Sequence, residues 1–250
     1  VMSDSDMVCA VDFKPIIAEH ISKGADMTLV YVKKYRSEVG GRDNAFLKVD
    51  KDNKVKEIIY DSQDETVNVY TNMVVISRTL LISLLADAFS HGAKSFVKEV
   101  ISDQLSYGKI RAYEHKGYYE EITSLQKYYD ENLRLLDKDV REEVFRKSNI
   151  YTKVKDSAPT RYGENAIVNN SLIADGCTIE GEVYNSIIFR GVTVGRGTVV
   201  KNCVIMQNTT VGEQVSLNCI ITDKNTLIKD RRTLSGSENH PFYISKGTVI

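Results

Sequence analysis

Tryptophan is absent from this 250-residue chain, proline occurs three times, and neither sign of charge prevails, with 33 Lys and Arg against 34 Asp and Glu. A balanced surface excludes the strongly basic footprint of a nucleic-acid binder. No apolar run approaches the ~20 residues a membrane-spanning helix needs. No charged, apolar and small-residue succession at the start resembles a secretory leader. Cysteine is scarce and scattered: Cys9, Cys177, Cys203 and Cys219 form no C-x-x-C pair, and the four histidines do not cluster. That spacing argues against a zinc ribbon or a disulfide framework and for reduced, mostly buried thiols. A cytoplasmic location is the expectation. The missing tryptophan itself carries no functional message.

What the chain does contain changes character part-way. Up to about residue 147, helix and strand patterns alternate. Asp12 can cap a helix presenting Phe13, Ile16, Ile17, His20 and Ile21 on one face, with Pro15 in the tolerant first turn and Gly24 as its stop. MTLVYV at 27–32 reads as a strand, as do 46–49, 54–60, 67–77 and 109–115. Helices are expected around Leu80–Leu85, around Phe96–Ile101, and over the amphipathic stretch 124–136. Such alternation predicts a largely parallel sheet. The opening VMSDSDM reads as the carboxyl end of a buried strand whose beginning is missing.

From about Ile167 the period becomes six. Ile167, Ile173 and Ile179 are followed by Ile188, Val194 and Val200, then Ile205, Val211 and Leu217, then Ile221 and Leu227. Three hexads close a coil of about eighteen residues, and inward-pointing apolar side chains stack from coil to coil. A β-sandwich is the alternative, but sandwiches alternate at period two. The expected architecture is therefore an α/β domain, 1–147, a polar linker, 148–166, and a left-handed parallel β-helix of hexapeptide repeats, 167–250.

Three stretches narrow the possibilities. DFKPIIAEHISKGADMTLVY, YYEEITSLQKYYDENLRLL and SAPTRYGENAIVNNSLIADGCTIEGEV, in this order and spacing, resemble segments of the ADP-glucose pyrophosphorylases (glucose-1-phosphate adenylyltransferases). Within that family the pattern looks most similar to the GlgD-type subunits of bacterial glycogen synthesis. The resemblance implies transfer of the adenylyl group of ATP to glucose 1-phosphate. Such chemistry is mostly positioning and charge neutralisation, with carboxylates holding Mg²⁺ and cations holding phosphates.

Position by position, the resemblance implies a degenerate site. Asp6 falls on the family's Gly-Asp-His aspartate and Glu121 on the aspartate of Trp-Arg-Asp, so these two would hold Mg²⁺ if the site works. Glu120, however, stands where that motif has arginine. Tyr60 and Asp61 stand where the family has Glu-Lys, the lysine gripping the sugar phosphate. Met73 replaces a glycine beside the sugar. No glycine-rich phosphate loop precedes Asp6, and the early pair Gly40-Gly41 lies in a later loop. At ~4 Å and an effective dielectric of ~20, one unit-charge contact amounts to about 4 kcal/mol. Two sign reversals at one phosphate-handling site are hard to reconcile with turnover. A different lysine, Lys54 or Lys56, would be needed if the chain is an active enzyme.

The resemblance thus implies a non-catalytic regulatory subunit that assembles with a catalytic ADP-glucose pyrophosphorylase subunit. The same resemblance implies that the first domain is an incomplete nucleotidyltransferase-like (Rossmann-like) fold, and with it a homo- or hetero-tetramer and an anionic metabolite effector. Adjacent Arg231 and Arg232, near the end of the β-helix, form a local fork able to bind a phosphate, the alternative being solvated charges on a coil turn. Lys33, Lys34 and Arg36 form a second basic cluster. A β-helix acyltransferase is a distant alternative, since His240 is the lone histidine of the repeat half and lies past the main coils.

Overall fold

A computed structural model describes residues 1–40, 44–146, 150–151 and 155–250. Its contacts divide the chain into two compact units, Val1–Tyr119 and Glu120–Ile250. The expected boundary at 147 and part of the expected linker, like Gly41, lie outside the described residues.

The first unit is built on a five-stranded sheet ordered Val55–Ile59, Phe46–Val49, Thr66–Ile76, Met27–Tyr35, Ile110–Glu114. The sheet is mixed, which corrects the largely parallel expectation. Met27–Tyr35 runs parallel to Ile110–Glu114, whereas the remaining pairings are antiparallel. The reason is local. No helix separates the strands at 46, 55 and 66, so the chain reverses through a turn instead of crossing over. In the turn Asp50–Lys54, Asp50 accepts from the amides of Asp52 and Lys54, and Asn53 takes φ 59°. Beyond that turn, Ala112 donates its amide to Asn53 at 2.7 Å, joining the two outer strands at one end.

Residues 27–32 are all buried, because apolar layers cover both faces of the central strand. One layer joins Leu29, Tyr31, Val74 and Ala112 to the helix Arg78–Ser90 and the π-helical turn Phe96–Ile101. The other packs Val30, Val32, Val69 and Met73 against Ile16 of the helix Phe13–Ser22. Asp12 caps that helix by accepting from Lys14, and Gly24 leaves it at φ 54°. His20 sits beside buried Thr28, with 2.9 Å between Nδ1 and Oγ1.

The second unit is a parallel β-helix preceded by the helices Leu125–Arg134 and Lys138–Arg146. Three five-stranded parallel sheets form its faces. It starts earlier than expected, because Arg161–Tyr162 already pairs with Thr178–Ile179. Successive coils place Val183 on Val200 and Ile188 on Ile205, seventeen residues apart, while Ile173 and Ile188 are fifteen apart. A strict count of six therefore drifts. Ile173, Ile179, Ile188, Val194, Val200, Ile205, Val211 and Leu217 do form the core. Ile167 and Leu227, by contrast, are exposed, and Ile221 packs outward against the helix Leu125–Arg134. The neighbours in register with the core are Val168, itself 37% exposed, and the buried Ile228 and Thr222. Buried Thr222 is satisfied by accepting from the Met206 amide at 3.2 Å.

The close coil spacing makes Gly195 irreplaceable: a Cβ there would meet the Gly212 carbonyl oxygen at 2.5 Å. Gly195→Ala is expected to destabilise more than Ile205→Ala, itself worth about 2–5 kcal/mol; urea unfolding followed by circular dichroism checks the order. Burial lowers the His20 pKa from 6.5 against a smaller opposing pull from Asp26. The unfolded chain then binds that proton more readily, so the stability contributed by neutral His20 is lost as pH falls below 6.5. An NMR titration should find His20 titrating below that value.

Candidate functional site

The residues singled out above fall in both units. In the first, Met2 exchanges two backbone hydrogen bonds of 2.9 Å with Val74, which ties the opening segment to the strand Thr66–Ile76. Asp4 and Asp6 follow in an exposed stretch. Burial raises the pKa of the Tyr70 hydroxyl, and the negative charge of Asp4 pushes it the same way.

Tyr60 and Asp61 leave the strand Val55–Ile59 in opposite surroundings. Asp61 is exposed, while Tyr60 is half-buried and its hydroxyl oxygen finds no hydrogen-bond partner among the described residues. Burial raises its pKa accordingly. Lys98 stands over the Tyr60 ring, 4.9 Å from its centre. The alternative lysines of this strand are turned to its turn: Lys56 pairs with Asp50 at 3.0 Å, and Lys54 gives its backbone amide to the same carboxylate.

Met73 is a core residue, 1% exposed and packed in the layer that holds Ile16 and Val30. The register of the two long strands steps from Tyr31 opposite Tyr70 to Leu29 opposite Val74. Asn72 takes φ 57° within the step, and the Thr71 hydroxyl donates to the Val30 carbonyl at 2.8 Å. The step leaves the alternation of faces intact: Met73 shares its layer with Val67, Val69 and Val75, and its side chain fills that core.

The second unit carries Glu120 and Glu121 at its start. Glu120 is held by two cations, with Lys127 Nζ at 2.9 Å and Arg134 Nη1 at 3.4 Å. Both also reach Glu131, at 3.0 and 3.2 Å, whose side chain is only 4% exposed. Burial alone would lower the Lys127 pKa, but its hydrogen bonds and charge contacts with Glu120 and Glu131 outweigh that and raise it. The helix Leu125–Arg134 that supplies these groups is capped by Ser124, which accepts from the Lys127 amide. Its other face lies on the β-helix, where Tyr129 and Leu133 pack on Val204, Cys219 and Ile221. The Tyr129 hydroxyl donates to the Asn202 carbonyl at 2.7 Å. Lys127, Glu131 and Arg134 were not singled out from sequence. Their signal was there in helical spacing, Lys127–Glu131 being an i, i+4 pair and Glu131–Arg134 an i, i+3 pair.

Asp6 and Glu121 belong to different units. Among the described residues, no three His, Cys, Asp or Glu side chains gather as a metal site. A Mg²⁺ ion needs fewer protein ligands, often one or two carboxylates completed by water and substrate phosphates. Arg231 and Arg232 are both exposed at a coil corner, where Arg231 Nε donates to Gln214 Oε1 at 3.2 Å. The second basic cluster is engaged too, since Lys33 pairs with Glu114 at 3.0 Å and Arg36 donates to the carbonyls of Ser62 and Val39. His240 is exposed in the loop after the last long coil.

Comparison with known proteins bears directly on this arrangement. A family profile described as "GlmU-like, C-terminal hexapeptide" matches residues 155–249. The glycogen biosynthesis protein GlgD of Bacillus subtilis (strain 168) is 34% identical across the whole chain, and GlgD of Geobacillus stearothermophilus is 35% identical. Along its length the chain is thus similar to GlgD proteins and to glucose-1-phosphate adenylyltransferases. The glucose-1-phosphate adenylyltransferase of Fervidobacterium nodosum is 30% identical over 92% of the chain and 56% of its own length. The chain spans 63% of the length of the two GlgD proteins. No described helix is long and apolar enough to cross a membrane.

The Glu120 contacts yield a direct test. Glu120→Arg would bring a third cation against Lys127 and Arg134, and should destabilise the chain by about 1–3 kcal/mol, more than Glu120→Gln does. Equal effects in urea unfolding would show that the two cations do not hold Glu120.

Proposed function

We propose that this chain acts in glycogen biosynthesis as a non-catalytic subunit, assembling with a glucose-1-phosphate adenylyltransferase and modulating it. The observation carrying this reading is the placement of Glu120. Family resemblance calls there for an arginine, and adenylyl transfer calls for cations around the phosphates. The chain instead has a carboxylate that engages two of its own cations, Lys127 and Arg134. Asp61, where a lysine would grip the sugar phosphate, is an exposed carboxylate as well.

Assembly as a homo- or hetero-tetramer and a cytoplasmic location are parts of the same proposal. So is an anionic effector, for which Arg231 and Arg232 are the proposed contacts. Arg231 would have to exchange its Gln214 partner for the anion. A regulatory subunit need not bind substrate tightly; it must contact its partner differently in two states of that partner.

A second reading, an active adenylyltransferase using Mg²⁺, is favoured by the two carboxylates at Asp6 and Glu121. A Mg²⁺ bound there would neutralise phosphate charge, and Asp6 and Glu121 would orient it. Formation of ADP-glucose from ATP and glucose 1-phosphate separates the readings. The chain is expected to be silent alone and to shift the substrate affinity or effector response of a catalytic partner when mixed with it. Turnover by the chain alone, abolished by Asp6→Asn or Glu121→Gln, would overturn the regulatory reading.

A further inference from the structure

A cavity of about 410 Å³ opens on the first unit beside Arg36, and is lined by Tyr35, Arg36, Ser37, Ser62, Gln63, Asp64 and Glu65. Its size is at the small end of ligand clefts. Two segments form it: the end of the strand Met27–Tyr35 with the 3₁₀ turn Arg36–Glu38, and the loop 62–65. They are tied together, because the Arg36 amide donates to the Glu65 carbonyl at 2.8 Å and Arg36 Nε to the Ser62 carbonyl at 3.3 Å.

The lining groups divide into those already engaged and those that are not. Arg36 also donates to the Val39 carbonyl and stands over the Phe46 ring. Asp64 is held by Lys48 and by the Ser62 hydroxyl. The Ser37 hydroxyl, the Gln63 amide and the Glu65 carboxylate have no side-chain partner among the described residues, and the Tyr35 ring is 55% exposed. The cavity therefore offers an aromatic face beside an amide, a hydroxyl and a carboxylate.

This set discriminates among ligand classes. An anion would meet Asp64 and Glu65 while the one cation of the lining, Arg36, already serves two carbonyls. An apolar ligand would bury charged groups without partners. A metal ion would find Asp64 already held by Lys48 and the Ser62 hydroxyl, which leaves Glu65 as the one uncommitted carboxylate of the lining. A neutral polyhydroxylated ring fits: its apolar face can lie on Tyr35 while adjacent hydroxyls donate to Glu65 and exchange hydrogen bonds with Gln63 and Ser37. We propose that this cavity is a surface binding site for a neutral sugar. The inference stands on the cavity alone and is independent of the adenylyltransferase reading.

Titration of the chain with maltotriose, followed by NMR or calorimetry, tests it, with glucose 1-phosphate as the charged comparison. Saturable maltotriose binding is expected, weakened at least ~10-fold by Tyr35→Ala and by Glu65→Gln with Gln63→Ala, and retained by Tyr35→Phe, which keeps the ring face. Unchanged thermal unfolding of each variant assigns its loss to the site. Absence of saturable binding by the parent chain would overturn the proposal. So would affinity indifferent to Tyr35→Ala, or tighter binding of glucose 1-phosphate than of maltotriose that is lost with the same substitutions.

Discussion

A chain that returns to the same corner every fifteen to seventeen residues must bend sharply at each return, and at these corners the backbone enters the left-handed region. The corners form columns. Asn170, Asn185, Asn202 and Cys219 stack in one, Gly176, Gly191, Asn208 and Asn225 in another, and Gly197, Gln214 and Arg231 in a third, all with positive φ. For most residues this conformation costs roughly 1–2 kcal/mol, but glycine escapes the clash and asparagine can offset it through its side chain. In the first column the amides do so by bonding to one another: Asn170 donates to Asn185, Asn185 to Asn202 and Asn202 to Asn218, at 2.8, 3.4 and 3.1 Å. The corners in turn set the register of the three sheets, and with it which apolar side chains meet inside.

Register also fixes what faces outward. Val204 and Ile221 are adjacent outward positions on one sheet, and leaving both in water would expose a flat apolar strip. The helix Leu125–Arg134 covers them, and its Tyr129 hydroxyl docks on the carbonyl of Asn202, one of the corner residues. This coupling explains why residues from 120 onward form a unit with the β-helix. The interior of the β-helix, for its part, encloses the Cys203 thiol. Burial carries the Cys203 pKa up to about 12, so that group stays protonated and packs as a small apolar side chain.

The same docking fixes the neighbourhood of Glu120. Once the helix is seated, Lys127 and Arg134 lie within reach of two carboxylates, one of them nearly out of water. A buried carboxylate such as Glu131 demands paired charge, because removing its cations would leave it uncompensated. Both cations, one in each end turn of the helix, are thus committed to internal structure. An adenylyl-transfer site needs its cations turned toward phosphates instead. The two requirements would compete for the same side chains.

Local patterns carried much of this in the linear sequence. Asp12 and Gly24 marked a helix, MTLVYV a buried strand, and six-residue spacing a β-helix, because caps, alternation and repeat period each depend on neighbours a few residues away. The resemblance to the glucose-1-phosphate adenylyltransferases was legible for a related reason, since it rests on short segments in a given order. What depends on distant partners was not. The antiparallel hairpin of 46–59 broke the parallel expectation, the layer packed on the helix Phe13–Ser22 took Met73 into the core, and fifteen- and seventeen-residue coils shifted Ile167, Ile221 and Leu227 out of phase. The significance of Glu120 emerged only when a helix seated on the β-helix brought Lys127 and Arg134 to it, because the pairing of charges is settled by packing and not by their order along the chain.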